Sequence, residues 1–148
     1  MVQNTAKPVN KWMVLISVAM GVFLATIDGS IVNIGLNTLV NDLNQPLALV
    51  EWVVLAYMLT IATLMLTVGR LSDMIGKKKL YLAGVIIFTV GSGLCGMAPS
   101  VYWLIGFRVL QAVGAVMMMA IGMAIVTENF PPQERGKALG IMGTMVSI

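Results

Sequence analysis

The chain has 148 residues, of which 59% are hydrophobic and 10% are charged, and its formal net charge is +3. A soluble globular domain has about 25% charged residues, so the composition excludes a water-soluble domain and predicts a protein embedded in lipid. Histidine is absent and Cys95 is the single cysteine, which excludes an intrachain disulfide and a metal centre built from these residues.

Long apolar stretches follow one another along the chain. The first four approach the roughly 20 residues that a helix needs to cross a hydrocarbon core of about 30 Å. Because backbone polar groups must be paired inside lipid and the stretches lack strand-like alternation, we expect helices and not a barrel. The predicted spans are residues 12–40, 47–69, 80–97 and 102–126, and a fifth begins at 136–148. Residues 1–11 form an amino-terminal tail, and the run after it is too long for a cleaved signal peptide.

The first span carries polar residues on two sides. At 100° per residue, one stripe of the helix collects several of them: Thr26, Ser30, Asn33 and Asn37. Asp28 lies about 200° from Thr26 and so faces another way. The stripe fits either the wall of a cavity, our working prediction, or hydrogen bonds between helices. Because a charged side chain is costly in contact with lipid, we expect Asp28 to lie between helices.

Charges outside the spans are unevenly placed. Basic residues lie in the two connections after the second and the fourth span: Arg70, Lys77, Lys78, Lys79, Arg135 and Lys137. The other two connections carry acidic residues or no charge. Because basic residues favour the cytoplasmic side, we expect the amino terminus and both basic connections in the cytoplasm, with the chain in the plasma membrane. This arrangement argues against nucleic-acid binding.

The fourth span places Arg108 and Gln111 on one face with small residues, a face suited to close packing on a neighbouring helix. Asp28 lies about 24 Å from Trp12 at the inner end of the first span, and Arg108 lies about 12 Å from the outer end of its own span. In a core about 30 Å thick, the two groups share a depth to within about one helical turn. We therefore expect them to meet, directly or through water.

Two interpretations of this pair are open. In one, the pair is static and only fixes helix packing, although desolvation makes a buried pair a poor stabiliser. In the other, it lies on an ion or proton pathway, which is the usual role of ionisable groups inside a membrane. We favour the second interpretation.

Enzyme chemistry has no support in the sequence. It contains no phosphate-binding loop of the form GxxxxGK[ST], and no nucleophile is paired with a base. We therefore predict that the chain is not an enzyme and holds no metal or cofactor. The expected partners are the lipid bilayer and a small molecule.

Two stretches resemble the major facilitator superfamily. GRLSDMIGKKK, residues 69–79, is similar to the family's loop pattern G-x-L-a-D-r-x-G-r-k, although Met74 replaces a basic residue. The matching positions are Gly69, Leu71, Asp73, Gly76, Lys77 and Lys78. LIGFRVLQAVGA, residues 104–115, resembles the fourth-helix motif, with Arg108 and Gln111 at matching positions.

The first span resembles one branch of this superfamily in particular. IDGSIVNIGL, residues 27–36, resembles the first-helix motif D-x-T-x-V-N-x-A-L-P of fourteen-span drug:proton antiporters, although Asn37 stands where that motif has proline. EWVVLAYML, residues 51–59, and PPQERGKALGIMG, residues 131–143, are also similar to that branch.

The resemblance implies an all-α helical bundle working by alternating access, in which this chain supplies four complete transmembrane helices and the start of a fifth. It implies proton-coupled export of lipophilic or cationic small molecules such as drugs. Asp28 would exchange the proton, Arg108 would adjust its affinity for the proton, and Gln111 would support the pair. The loop at residues 69–79 would be a cytoplasmic latch toward the remaining carboxy-terminal spans, or else a lipid headgroup anchor.

Two other functions stay open at this point. One is a proton-coupled importer of a metabolite, and the other is a short membrane scaffold that transports nothing. A fifth-helix motif would separate import from export, and the length of the reading frame past Ile148 would identify a scaffold. Because the fifth span covers only about 13 residues, we expect the frame to continue.

Overall fold

The computed structural model describes residues 10–147, which form five α-helices. They are α1 (Lys11–Leu43), α2 (Leu47–Ile75), α3 (Lys77–Gly96), α4 (Val101–Asn129) and α5 (Pro132–Val146). Strands are absent from residues 10–147. The first four helices are long and apolar enough to cross a membrane. The predicted all-α, multi-pass membrane fold is therefore confirmed. Most of the predicted tail, residues 1–9, lies outside the described residues, as does Ile148.

The ends of the helices follow local signals. Asn10 caps α1, because its side-chain oxygen accepts a hydrogen bond of 3.1 Å from the backbone N–H of Trp12. At the other end of α1, Asn44 adopts the left-handed conformation at φ 49°. A proline precedes α2, and another occupies the first position of α5, where a missing N–H costs no helical hydrogen bond.

The stretch between the second and third predicted spans, residues 70–79, is not an open loop but helical except at Gly76. Helix α2 continues to Ile75 and α3 begins at Lys77, so that Gly76 is the one residue outside both helices. Its backbone φ of +100° is a value that residues with a Cβ atom rarely adopt. Hydropathy indicates where a segment leaves the hydrocarbon region, whereas a helix ends only where the backbone leaves the helical conformation. For the same reason α4 extends to Asn129 and α5 begins before residue 136.

Helix α4 is the centre of the bundle and contacts each of the other four helices. Its buried face consists of small and medium-sized apolar residues, including Ala112, Ala115 and Val116. Glycines bring α3 close to it, since a Cβ on Gly84 would be 2.7 Å from the Cβ of Met117. Such small residues allow the two backbones to approach closely and pack by van der Waals contact.

Helix α1 crosses from one group of neighbours to another. Its first half packs through Leu15, Val18 and Val22 against the end of α4 and the middle of α5. Its second half packs beside a buried cluster formed by α2 and the start of α4. The crossing places Asp28, in the middle of α1, where α1, α2 and α4 meet. Elsewhere, large apolar side chains such as Ile34 and Leu66 are exposed, as expected for a surface in contact with lipid.

Candidate functional site

The structure brings Asp28 of α1 and Arg108 of α4 together in an ion pair. Nη1 of Arg108 donates to the carboxylate Oδ2 of Asp28, and Nη2 lies 3.4 Å from the backbone oxygen of the same residue. The two partners differ in exposure, because the side chain of Arg108 is 3% exposed and that of Asp28 is 20% exposed. The carboxylate is therefore the more exposed member of the pair.

Gln111 supplies a second acceptor for the guanidinium. Its Oε1 accepts a hydrogen bond of 2.8 Å from Nη1 of Arg108, one helical turn earlier in α4, and lies 3.6 Å from the Sγ of Cys95. Since Oε1 faces these donors, the network fixes the orientation of the amide. The buried Nε2 has no hydrogen-bond partner within residues 10–147.

Tyr57 of α2 is a third contact of Arg108, and the sequence analysis did not identify it. Its ring centroid lies 5.1 Å from Cζ of Arg108, a cation–π arrangement. Its hydroxyl donates a hydrogen bond of 3.2 Å to the backbone oxygen of Ala25, one turn before Asp28. A signal was present, because a tyrosine ten residues into a span lies too deep for the interfacial aromatic belt and needs a partner for its hydroxyl.

The four side chains make one site from three helices. Arg108 has a carboxylate, an amide oxygen and an aromatic face around it, so its buried charge is compensated. Within the ion pair, the guanidinium stays protonated in proteins, so the carboxylate of Asp28 is the group whose charge can change. Protonation of the carboxylate would leave Arg108 with its two uncharged partners.

The polar stripe of α1 lies on a different side of the helix from Asp28. Ser30, Asn33 and Asn37 are exposed, whereas Thr26 is half-buried and donates its hydroxyl hydrogen bond, 3.0 Å long, to the oxygen of Val22 in the same helix. Asn33 lines a shallow cleft of about 220 Å³ together with Leu36, Glu51, Val54 and Leu55. The lining of a larger cavity by the stripe stays a prediction.

The residues of the predicted latch lie around the turn at Gly76. Lys77 pairs with Glu128 of α4 and lies 3.9 Å from the carboxylate of Asp73. Asp73 and Lys78 are exposed, Leu71 is half-buried, and Gly69 contributes to a groove of about 770 Å³ between α2 and α4. Arg70, Asp73 and three methionines also line this groove: Met65, Met119 and Met123. The latch role itself stays a prediction.

Comparison with known families decides the classification. The Major Facilitator Superfamily matches residues 18–148. The chain belongs to this superfamily. Membership of the superfamily, predicted from residues 69–79 and 104–115, is therefore confirmed.

Individual superfamily members show how similar the chain is to named proteins. It is 47% identical to the riboflavin transporter RibZ of Clostridioides difficile (strain 630) over 138 residues, which are 93% of this chain and 30% of that protein. It is 34% identical to Multidrug resistance protein 3 of Bacillus subtilis (strain 168), covering 98% of this chain and 28% of that protein.

It is also 34% identical to the Tetracenomycin C resistance and export protein of Streptomyces glaucescens, covering 91% of this chain and 25% of that protein. The chain thus spans less than a third of the length of these superfamily relatives. They are named for transport, export or resistance, and they differ in the compounds that their names give.

Proposed function

We propose that this chain carries the proton-coupling site of a secondary active transporter that exports lipophilic or cationic small molecules in exchange for protons. The pairing of Asp28 with Arg108 is the observation that supports this function most directly. A fully buried cation beside a partly exposed carboxylate leaves one group free to gain and lose a proton.

The physical consequence of protonation is a change in the balance of charge. When Asp28 is ionised, it neutralises Arg108 and ties α1 to α4. When Asp28 takes up a proton, the guanidinium loses its counter-ion in a buried place. An uncompensated buried charge costs several kcal/mol, so the two protonation states favour different helix arrangements. That difference is what alternating access requires of a coupling site.

The export of drug-like compounds is supported by two superfamily relatives, Multidrug resistance protein 3 and the Tetracenomycin C resistance and export protein. A second candidate function is the transport of riboflavin, as a metabolite carrier. The 47% identity to the riboflavin transporter RibZ, against 34% for the other two, favours it. Both candidates use the same coupling site. They differ in the compound carried and, for a metabolite importer, in the direction of transport.

We also place the amino terminus and the turn at Gly76 in the cytoplasm of a plasma membrane. Two contacts support a common side for these ends of the helices, because Lys11 at the start of α1 pairs with Glu134 of α5, and Lys77 pairs with Glu128 near the end of α4. Basic residues concentrated on this side fit the cytoplasmic face.

The test uses the full gene product that contains this sequence, reconstituted in proteoliposomes under an imposed pH gradient. The transport of a cationic dye and of riboflavin is measured for the parent, for Asp28→Asn, and for Asp42→Asn as a control on an exposed acid at the end of α1. We expect Asp28→Asn to abolish proton-coupled transport at a normal amount of membrane protein, and Asp42→Asn to retain it.

The two compounds separate the two candidate functions. Dye transport without riboflavin transport supports the exporter of lipophilic cations, and the reverse supports the metabolite carrier. If Asp28→Asn transports as fast as the parent under the same gradient, the carboxylate is structural and the proposed coupling site is wrong.

A further inference from the structure

Tyr57 occupies the point where α2 reaches Arg108 of α4 and the turn of α1 that precedes Asp28. It is 4% exposed and belongs to the core cluster that also contains Ala25, Phe88 and Ala112. Its hydroxyl bonds to the Ala25 oxygen of α1, and its ring lies against Arg108 of α4. One side chain therefore joins three helices at the site.

The contacts of Tyr57 divide into two kinds. The hydroxyl contact ties α2 to the turn of α1 that precedes Asp28. The ring contact acts on Arg108 through the negative face of the aromatic system, which attracts a cation more strongly when water is excluded. Neither contact involves the carboxylate, so both remain available when the carboxylate is neutral.

The partners of Arg108 respond differently to a proton. Asp28 stops neutralising the guanidinium once it is protonated. Gln111 offers a single oxygen, which Cys95 also approaches. Among the described residues, Tyr57 provides the one aromatic ring within cation–π distance of this guanidinium. The ring is thus, beside the Gln111 oxygen, the second uncharged contact that can support the cation in the proton-loaded state.

We propose that Tyr57 is a positioning residue whose ring retains Arg108 in the site while Asp28 carries the proton. This inference rests on the proposed function and adds to it a determinant of the pH range in which the transporter works. The ring stabilises the proton-loaded state more than the proton-free state, because the ionised carboxylate holds Arg108 without help.

The sign of the effect follows from this difference. Weakening the ring contact makes the proton-loaded state less favourable, so that a higher proton concentration is needed to load Asp28. The pH midpoint of coupled transport should therefore move to lower pH. Loss of a desolvated cation–π contact corresponds to a shift of about one pH unit, or about tenfold in proton concentration.

Substitutions of matched shape separate positioning from packing. Tyr57→Phe keeps the ring and removes the hydroxyl, so we expect its pH midpoint to stay close to that of the parent. Replacement of Tyr57 by 3,4,5-trifluorophenylalanine nearly keeps the shape of phenylalanine but weakens the negative face of the ring. Tyr57→Leu removes the aromatic system. Phe88→Leu, in the same core cluster, is the control for a general loss of packing.

The experiment measures dye and riboflavin transport by the full gene product in proteoliposomes between pH 5 and pH 9. We expect the trifluorinated ring and Tyr57→Leu to lower the pH midpoint relative to Tyr57→Phe, and Phe88→Leu to leave it in place. The trifluorinated variant keeps the test decisive even if Tyr57→Leu does not fold. Asp28→Asn is measured in parallel, because loss of coupling there tests the proposed function separately.

Two results would overturn the inference. The first is a pH midpoint that is the same for the phenylalanine and trifluorinated variants, which would show that the ring acts by shape alone. The second is an equal shift in Phe88→Leu, which would make the effect one of packing. Either result with an inactive Asp28→Asn rejects the role of Tyr57 and leaves the coupling site intact. A fully active Asp28→Asn rejects both.

Discussion

Gly91 of α3 lies directly against the backbone of Gln111 of α4, and a Cβ atom on the glycine would be 2.8 Å from the Cα of Gln111. Gln111 in turn accepts the hydrogen bond that holds Arg108. The separation of α3 and α4 therefore sets the position of the amide at the ion pair. A contact made by a residue without a side chain thus controls the geometry of the site.

Gly91→Ala should destabilise the protein and impair transport, because the added methyl group forces α3 and α4 apart. Overpacking of this kind costs about 1–3 kcal/mol. Gly93→Ala is the matched control on the same helix, since a Cβ there would have no atom within 4 Å. Thermal unfolding of the purified full gene product measures the difference. Equal unfolding temperatures for the two variants would show that the helices can separate at no cost.

Arg108→Ala should move the pH midpoint of transport to higher pH. The guanidinium favours the ionised form of the carboxylate beside it, so its removal lets Asp28 keep its proton at a lower proton concentration. The sign is opposite to that expected for loss of the Tyr57 ring. Transport rates of the Arg108 and Tyr57 variants, measured against pH in proteoliposomes, show the direction in which each variant moves the pH midpoint. A midpoint that moves to lower pH in Arg108→Ala would contradict this account of the pair.

The part of the site that the sequence predicted depends on properties local to single helices. Depth along each helix follows from residue number, so the meeting of Asp28 and Arg108 could be anticipated. The depth of Tyr57 indicated a buried tyrosine, but its contacts with Ala25 and Arg108 could not be anticipated, because they depend on how α2 rotates against α1 and α4. The partner of Lys77 on α4 was unpredicted for the same reason: Glu128 is 51 residues away.

The fold, like the site, was predictable in some features and not in others. Apolar length correctly indicated four membrane-crossing helices. It does not indicate where the helices end near Gly76, because charged and polar residues can continue a helix beyond the hydrocarbon region. The position of the backbone break was visible in the sequence as Gly76 of the loop motif. Gly76 adopts a positive φ, which glycine tolerates.

Asp73→Asn should slow transport while leaving membrane insertion unchanged. Asp73 is exposed and lines the groove between α2 and α4, where the proposed latch would bring it to a partner in the remaining carboxy-terminal spans. Its 3.9 Å contact with Lys77 is too long and too exposed to contribute much stability. Glu128→Gln is the control, because Glu128 pairs with the same lysine from α4. Transport rates at matched expression are compared.

The two variants separate a latch from a simple charge anchor. A latch requires Asp73 itself, so only Asp73→Asn should reduce the transport rate strongly. If both variants transport at the parental rate, the residues around Gly76 act as an anchor for lipid headgroups or for topology. If Glu128→Gln has the larger effect, the Lys77 pair between α3 and α4 is the functional contact.

Cysteines at positions 73 and 42 should label from opposite sides of the membrane. Asp73 lies just before the turn at Gly76, and Asp42 lies near the end of α1, so one crossing of the bilayer separates them in the proposed topology. Both positions are exposed and therefore accessible to a thiol reagent. Cys95→Ser, combined with replacement of any cysteine in the rest of the full gene product, provides the background, because Cys95 is the single cysteine of residues 1–148.

A membrane-impermeant maleimide added to intact cells should modify the cysteine of Asp42→Cys. It should leave the cysteine of Asp73→Cys unmodified until the membrane is opened. The expectation follows from the basic residues near the turn at Gly76, which favour the cytoplasmic side. The background variant must retain transport, since Cys95 lies 3.6 Å from the amide oxygen of Gln111. Labelling of Asp73→Cys in intact cells would invert the topology. It would also place the proposed latch outside the cell, where it could not act at the cytoplasmic side of the cavity.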